Sequence, residues 1–513
     1  MTELSELVHR SLTDETAERF MERVEAQADD LREALSNGSF GNDEFTVGME
    51  MEVYAVGRDD DPDTSYSLTE IPEGVFGDHA AKELGVHNAE INTAPDVLDT
   101  GGLRTQAETL DTEFQIAREH AREHGQDLVL DAMWTLPPRV GSEAYLSATE
   151  NQDGVTVAEN MRTDPRYVAI DNDVLSHADG SISLEVPGAT REFPTILFES
   201  LATSIQPHLQ IPSLEAFPAY YNVAIRTLGP LLALAANSPF LPYDLYGDVD
   251  DPESVVERTH HELRIAVFEQ SVNASPNPKV CVPRDIEDTA DTVDRVVEDD
   301  LYAPFLREWV TDVDRESFAD HHWEFDYKRG TYWRWLRCVI GGTPVEGACD
   351  ERSVRIEYRP IPTQPTIRDV VGMQVLTGGL IHGLVTAGHP LADMSWEAAT
   401  NSFYSAAEFG LDADLAWITA DGERTNDPET IFEEVFAYAR EGLAEAGVDP
   451  GDVDEYLAPI EQRWEAKTTP SAWKKARVRE GLADGLEFSA AIRRMQEQYI
   501  QQSRETDSFA EWL

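Results

Sequence analysis

The residues best suited to chemistry lie in one short stretch, Phe45 to Val56, which reads FTVGMEMEVYAV. Its residues alternate in period two, so Val47, Met49, Met51 and Val53 point to one side of a strand and Gly48, Glu50, Glu52 and Tyr54 to the other. Two carboxylates on one strand face stand about 7 Å apart. Buried together they repel each other and lose hydration, so a cation should sit between them, and a hard divalent metal suits carboxylate oxygen.

Three further segments carry groups of the same kind. In VHNAEINTAP, Asn88, Glu90 and Asn92 share a face, which makes a second inward carboxylate on a second strand. In TSIQPHLQI, Ser204, Gln206, His208 and Gln210 oppose Ile205, Leu209 and Ile211, and Pro207 requires an edge strand or a bulge. A histidine on such a face is either a structural hydrogen bonder or a ligand. In SVRIEYRPI, Arg355, Glu357 and Arg359 share one face against Val354, Ile356 and Tyr358. That strand lies in a basic island: Lys328, Arg329, Arg334, Arg337, Arg352, Arg355 and Arg359 meet only Glu346, Asp350, Glu351 and Glu357, a local charge of +3. An acidic protein that handles an anionic ligand needs such an island, although an Arg–Glu ladder on an exposed strand has the same pattern.

Glu50, Glu52, Glu90, His208 and Glu357 together make an oxygen-rich cage with permanent positive charge beside it at Arg355 and Arg359. This suits magnesium-assisted phosphoryl transfer from a nucleotide. The chain has no Gly-Lys dipeptide, no GxGxxG after a strand and no HExxH helix, so a nucleotide must be held by a sheet surface and metals. His120 and His124, one turn apart on a helix that begins near Leu103 and closes at Gly125, have zinc-compatible spacing. They sit among Arg and Glu with no third ligand nearby and read as a solvated face. Neither Glu52 nor Glu357 is expected to be a packing residue, so replacing either by glutamine should abolish activity and spare folding.

The remaining elements frame these strands. Residues 1–36 form an acidic helix with Leu4, Leu7, Val8, Phe20, Val24 and Leu31 on its apolar stripe, ended by Asn37-Gly38; they look like an adornment. An acidic loop runs from Arg58 to Ser67, and LVLDAMWTLPP reads as a strand. A long apolar helix covers Ala216 to Ala236, and an acidic helical stretch covers Val255 to Arg307. From Thr366 the chain reads as successive helices to Leu513, with breaks at Gly388-His389-Pro390, Gly447 to Gly451 and Thr468 to Pro470.

Composition bounds the setting. Asp and Glu total 98 against 40 Lys and Arg, a formal net charge of −58, and only six of the basic residues are lysine. Such a balance suits a halophilic archaeon whose cytoplasm holds molar salt, where the screening length falls to about 3 Å and self-repulsion fades. With 41% hydrophobic residues the chain is no disordered acidic tail. Its charge repels nucleic acid and anionic membranes, and neither is expected as a partner. Cys281, Cys338 and Cys349 are too few and too irregular for a disulfide framework or a zinc knuckle. No run of 18 apolar residues occurs, so a soluble, cytoplasmic protein is expected.

GMEMEV resembles the GxExE signature of the type 2 glutamate–cysteine ligase family, carboxylate–amine ligases related to glutamine synthetase. The other landmarks keep the family's order: AEINTAP resembles its second carboxylate strand, SIQPHLQI its Gln/His strand and LGPLLALAANSPF its helix running into Asn-Ser-Pro. WRWLRCVIGG and VRIEYRPIPTQPTIRD resemble its tryptophan–arginine segment and Glu-x-Arg strand, so the likeness spans residues 40–500. It departs at Pro360-Ile361-Pro362, where many members have an aspartate.

The resemblance implies an α+β fold, a glutamine synthetase-like curved antiparallel sheet with packed helices and a helical C-terminal cover. The implied divisions are an N-terminal helical extension (1–38), a catalytic domain (39–400) and a C-terminal helical region (401–513). It implies ATP and Mg2+ as cofactors, Glu50, Glu52, Glu90, His208 and Glu357 as magnesium ligands, and Arg359 and Arg355 as catalytic residues. Arg334 and Arg337 are left to bind the nucleotide or the substrate carboxylate, and the C-terminal helices to close over the acyl phosphate. The implied activity is ATP-dependent amide formation between an amino acid carboxylate and an amine, γ-glutamylcysteine or a related γ-glutamyl product, with a homodimer left open. A non-catalytic Mg-nucleotide-binding homologue and a phosphagen-type guanidino kinase remain the alternatives.

Overall fold

In the computed structural model, residues 4–42, 44–58, 66–77, 79–310, 317–342, 344–345 and 351–513 are described. Most of the acidic loop after Arg58, together with Glu346, Cys349 and Asp350, lies outside them. The sheet comprises β1 (Thr46–Arg58), β2 (Ala81–Lys82), β3 (Asn88–Asn92), β4 (Ile205–Gln210), β5 (Leu336–Gly341) and β6 (Ser353–Tyr358). They stand in the order β5-β6-β4-β1-β3-β2, with the short strands Tyr66–Leu68, Asp96–Val97 and Gln126–Val129 added to β1, and every pairing is antiparallel.

The sheet curls because β1 changes partners along its length. Thr46 to Met51 pair with β4, Glu50 to Tyr54 with β3 and Tyr54 to Gly57 with Gln126–Val129. Each exchange adds twist, and the sheet wraps into half a barrel.

Eight helices matter to the site: α1 (Leu4–Ser11), α2 (Asp14–Ser36), α3 (Thr100–Glu123), α4 (Pro165–His177), α5 (Phe217–Ala235), α6 (Leu263–Val272), α7 (Trp323–Arg329) and α8 (Ile367–Thr386). The apolar face of β1 is buried against α8. Gly378 of that helix faces Val47 and Leu209, and Gln374 Nε2 donates to the Gly48 carbonyl at 3.2 Å. Helix α5 backs the other end of the sheet, where the Tyr221 hydroxyl donates to the Leu336 carbonyl at 3.1 Å. Helices α4, α6 and α7 and the 3-10 turn Ile196–Leu201 supply walls on the opposite, carboxylate-bearing face. One hydrophobic core runs from Leu7 to Phe509, so the N-terminal, central and C-terminal segments are packed together.

Several expectations change. The N-terminal segment forms two helices, the second capped by the Thr13 hydroxyl, which accepts from Thr16 N at 3.2 Å. The acidic stretch after Val255 is helical only at Pro252–Arg258, α6 and Asp291–Glu298, because Pro276, Pro278 and Pro283 interrupt it. LVLDAMWTLPP is a strand only as far as Val129 and beyond it makes a single bridge, Met133 to Ala202, and the C-terminal helices are interrupted by the small hairpin Trp417–Ile418 and Arg424–Thr425.

Pro207 lies in an interior strand, and a bulge accommodates it. His208 stands opposite Glu357, yet Ser204, four residues back along β4, bridges Pro362, five residues beyond Glu357. One extra residue is therefore inserted at the end of β6, around Arg359-Pro360. The odd-numbered residues of β4 face β6: Ile211 N donates to the Val354 carbonyl and Ile205 N to the Ile361 carbonyl. Pro207, odd-numbered and without an N–H, falls where that ladder is broken.

Candidate active site

The strand register assembles the carboxylates. Glu52 stands opposite Glu90 on β3, Glu50 opposite Gln206 on β4, His208 opposite Glu357 on β6, and Glu357 opposite Arg337 on β5. Two groups result. Glu50, His208 and Glu357 form one, and Glu52, Glu90 and Glu83 the other, with ligand atoms within 4.8 Å of one another in each. Thus all five side chains predicted to hold metal are brought together, and Glu83 joins them from just beyond β2. That strand is two residues long and carries no alternation from which Glu83 could have been recognised.

The two groups differ in charge balance. Arg337 grips Glu357 with Nε and Nη2 at 2.8 and 2.7 Å, and Arg359 donates to the same carboxylate and to Gln206 Oε1 at 2.7 Å. Burial alone would raise the Glu357 carboxyl, but the Arg337 and Arg359 charges outweigh it and hold it well below the usual range. Among the described residues Glu52, Glu83 and Glu90 form no such ion pair. Burial and then the Glu50 charge push Glu90 up to about 8, and burial with the charges of Glu90 and Glu52 pushes Glu83 well above its ordinary value. Burial also raises Glu52, against the pull of the Ser204 N–H donated at 2.7 Å. Three crowded carboxylates, with no ion pair among the described residues and only Glu52 drawn by the Arg264 and Arg359 charges, are what an oxygen-coordinated divalent cation fits.

His208 shows a different sign of the same fit. Its Nδ1 accepts from Arg355 Nε at 3.0 Å, while its buried Nε2 lies 3.1 Å from Glu50 Oε1 without an aligned hydrogen bond. An orphaned buried nitrogen beside Glu50 and Glu357 suits a cation, provided that Arg355 releases Nδ1 to carry the proton.

Glu50 borders two cavities. One, of ≈ 260 Å³, is lined by Gly48, His208, Gly342, Ser353 and Arg355. The other, of ≈ 380 Å³, takes Glu52, Glu83, Glu90, Arg337 and Arg359 as its polar lining and Tyr167, Ile170, Phe268 and Trp333 as its apolar lining. Arg355 therefore serves the first cavity and Arg359 the second. Gly48 leaves the floor of the first open, since a Cβ there would be in ordinary contact with Pro95 and His208.

Arg334 is not brought to either cavity. It precedes β5 and turns away from the carboxylates, donating to Asp299 Oδ1 at 2.7 Å and to the Lys279 carbonyl. The carboxylate cavity gains instead Glu199, Arg166 and Arg329, which no strand pattern singled out. Glu199 lies on the 3-10 turn Ile196–Leu201, and its carboxylate makes no hydrogen bond or ion pair among the described residues; burial and the Glu52 charge push it up to about 8. None of the residues lining the cavity comes from beyond Arg359, so α4, α6 and α7 provide the closure expected of the C-terminal helices. His120 and His124 belong to neither carboxylate group.

A curled antiparallel sheet that lines one face with paired carboxylate groups and arginines suits an ATP-dependent carbon–nitrogen ligase of the carboxylate–amine type. Residues 46–503 match the model of glutamate–cysteine ligase family 2, and the chain belongs to that family. Among solved structures it is similar to glutamate–cysteine ligase from Francisella tularensis in complex with AMP, with a TM-score of 0.51 and 13% identity over 91% of this chain and 90% of that one. It is also similar to a bifunctional glutathione synthetase from Pasteurella multocida, with a TM-score of 0.52 and 13% identity over 93% of this chain. The chain covers 55% of that protein's length. These likenesses concern the fold. No curated protein sequence matches the chain. Among the described residues no helix is long and apolar enough to cross a membrane.

Proposed function

We propose that the protein forms γ-glutamylcysteine or a related γ-glutamyl amide from an amino acid carboxylate and an amine, through an acyl phosphate. The observation that carries this reading is the crowded group Glu52, Glu83 and Glu90 beside the Arg337–Glu357–Arg359 ion pairs. Glu52, Glu83 and Glu90 would hold one Mg2+, and Glu50, His208 and Glu357 a second. Bound there, magnesium would neutralise phosphate charge and orient the oxygens for transfer.

The chain's own side chains divide the remaining work. The cavity beside Gly48 and Arg355 takes the nucleotide, and the carboxylate cavity takes the acid and the amine. Arg359 faces the phosphoryl group between them, its guanidinium fixed by Glu357 and Gln206. Gln206 also donates to Glu52 Oε1 at 3.2 Å, so it ties the arginine to the carboxylate group. Arg337 positions Glu357. Glu199, whose carboxylate makes no hydrogen bond or ion pair among the described residues, receives the ammonium of the amine substrate. Ile170, Phe268 and Trp333 keep water from the acyl phosphate.

The carboxylate surplus and scarce lysine support work in a salt-rich, reducing cytoplasm. The test is ADP release and product mass in molar KCl with MgCl2, ATP, glutamate and cysteine. ADP should form only when acid and amine are both present. Mg-ATP binding without phosphate release for any amino acid pair would overturn the reading, as would a stable phosphorylated guanidino product.

A further inference from the structure

We propose that the N-terminal helices brace the catalytic cavity: Gln27 and Arg23 of α2 anchor α7, the helix whose far end meets Arg337, and so position the Arg337–Glu357 pair. Neither residue touches the cavity, and α1 and α2 lie outside the stretch matched by the family model, which begins at residue 46. They are positioning residues that lie in the segment before that stretch.

Helix α7 has seven residues, too few to hold its shape alone, and its N-cap residue His322 makes no side-chain cap. The cap comes from α2. Gln27 Oε1 accepts the Phe325 N–H at 2.8 Å, one of the amides that a helix start leaves unpaired. The same amide side chain donates through Nε2 to Glu324 Oε2 at 2.6 Å, and Arg23 Nη1 donates to Glu324 Oε1 at 2.7 Å. Glu324 is fully buried, so its charge depends on such donors. Phe20 of α2 adds an edge-on contact with Tyr327, ring centroids 5.8 Å apart.

The other end of α7 reaches the chemistry. The Arg329 carbonyl accepts from Arg337 Nη1 at 3.3 Å, and Arg337 holds both oxygens of Glu357. The Tyr327 carbonyl accepts from Arg166 Nη2 at 3.2 Å, which ties α7 to α4 across the cavity mouth. A displaced α7 would withdraw a hydrogen bond from Arg337 and loosen both walls. Continuous contact thus runs from Gln27 through α7 and Arg337 to Glu357.

The experiment compares full-length wild type, Gln27→Leu and Glu324→Gln in molar KCl by amide hydrogen exchange and by steady-state ADP release. Gln27→Leu removes the cap and one donor, whereas Glu324→Gln leaves the cap in place but offers one acceptor to the two donors of Arg23 and Gln27. In Gln27→Leu, exchange should quicken over residues 323–330 and in β5 but not in the C-terminal helices. Its kcat should fall about tenfold, less than the roughly 10²-fold that a 1 Å misplacement at the chemistry can cost. Its KM for ATP should stay within about twofold, because binding at the first cavity is untouched. Glu324→Gln, which leaves the cap in place, should quicken exchange over residues 323–330 less than Gln27→Leu does and lower kcat by less. Unchanged exchange in α7 and β5, a loosened α7 with unchanged kcat, or faster exchange throughout the chain would each overturn the brace. The kinetic arm rests on the ligase reading; should wild type release no ADP, that reading falls and the exchange pattern alone decides the brace.

Discussion

Replacing Glu90 by glutamine should stabilise the metal-free protein. Burial and the nearby Glu50 charge raise this carboxyl from 4.5 to about 8, so at neutral pH the folded chain keeps a proton there that the unfolded chain gives up. The unfolded state then binds fewer protons than the folded one, and stability falls as pH rises between those two values. At about 1.4 kcal/mol per pH unit, the loss accumulated by pH 7 has a ceiling of roughly 3 kcal/mol, against roughly 0.8 kcal/mol at pH 5. Glutamine has the shape of the protonated acid, keeps an acceptor for Asn92 Nδ2, now at 2.8 Å from Oε1, and carries no such slope. Thermal melting in molar KCl with EDTA should therefore show the variant above wild type by a few degrees at pH 7 and nearly level with it at pH 5. Adding MgCl2 should raise the wild-type midpoint much more than the variant's, because the substitution removes a charged ligand. A variant that melts at or below wild type in EDTA at pH 7 would refute the reasoning, since Glu90 would then be ionised and stabilised by a partner other than a cation.

Four further outcomes follow from the site. Glu357→Gln should cost about 3 kcal/mol in urea unfolding as well as activity, because it leaves the Arg337 and Arg359 guanidiniums without their buried counter-charge; the expectation that this residue can be neutralised without harm to folding does not survive its burial. Gly48→Ala should leave the melting temperature within a degree or two and raise KM for ATP at least several-fold, since its methyl group projects over the floor of the nucleotide cavity; an unchanged KM would place the nucleotide elsewhere. Glu199→Gln should raise KM for the amine about tenfold while the KM for glutamate and the magnesium dependence hold, as befits a charged hydrogen bond to an ammonium; a lost magnesium dependence would make it a ligand instead. Lowering KCl from molar to about 0.1 M should lower the midpoint of a chain at −58, as the screening length grows to about 10 Å; a midpoint independent of salt would remove the halophilic reading.

The legible part of this site was the part built on half-buried strands. In β1, β3, β4 and β6, period-two alternation sorted polar from apolar faces, and carboxylates on polar faces of strands that pair antiparallel had to converge. Glu83 and Glu199 escaped for the opposite reason: one follows a strand of two residues, the other sits in a 3-10 turn among Ile196, Leu197, Phe198 and Leu201. Arg334 and Arg337 belong to one basic island, yet Arg334 precedes β5 and turns to Asp299, whereas Arg337 lies within the strand and meets Glu357 across the ladder. Charge tallies cannot separate two such neighbours; the strand's starting point does. The walls of the cavity were illegible because chain order says nothing of stacking: α7, closing the site, is seven residues, while the twenty-residue α8 lies behind the sheet. The acidic stretch after Val255 shows that helical composition yields to three closely spaced prolines.

The bulge opposite Pro207 has a consequence for how the arginine at the end of β6 is aimed. An ordinary residue at 207 would offer an amide proton to the Tyr358 carbonyl and zip the two strands one step further, carrying Arg359 along the sheet and away from Gln206. A missing hydrogen atom on an imino acid thus keeps a seam unstitched, and through that seam a guanidinium reaches the place where charge must be met.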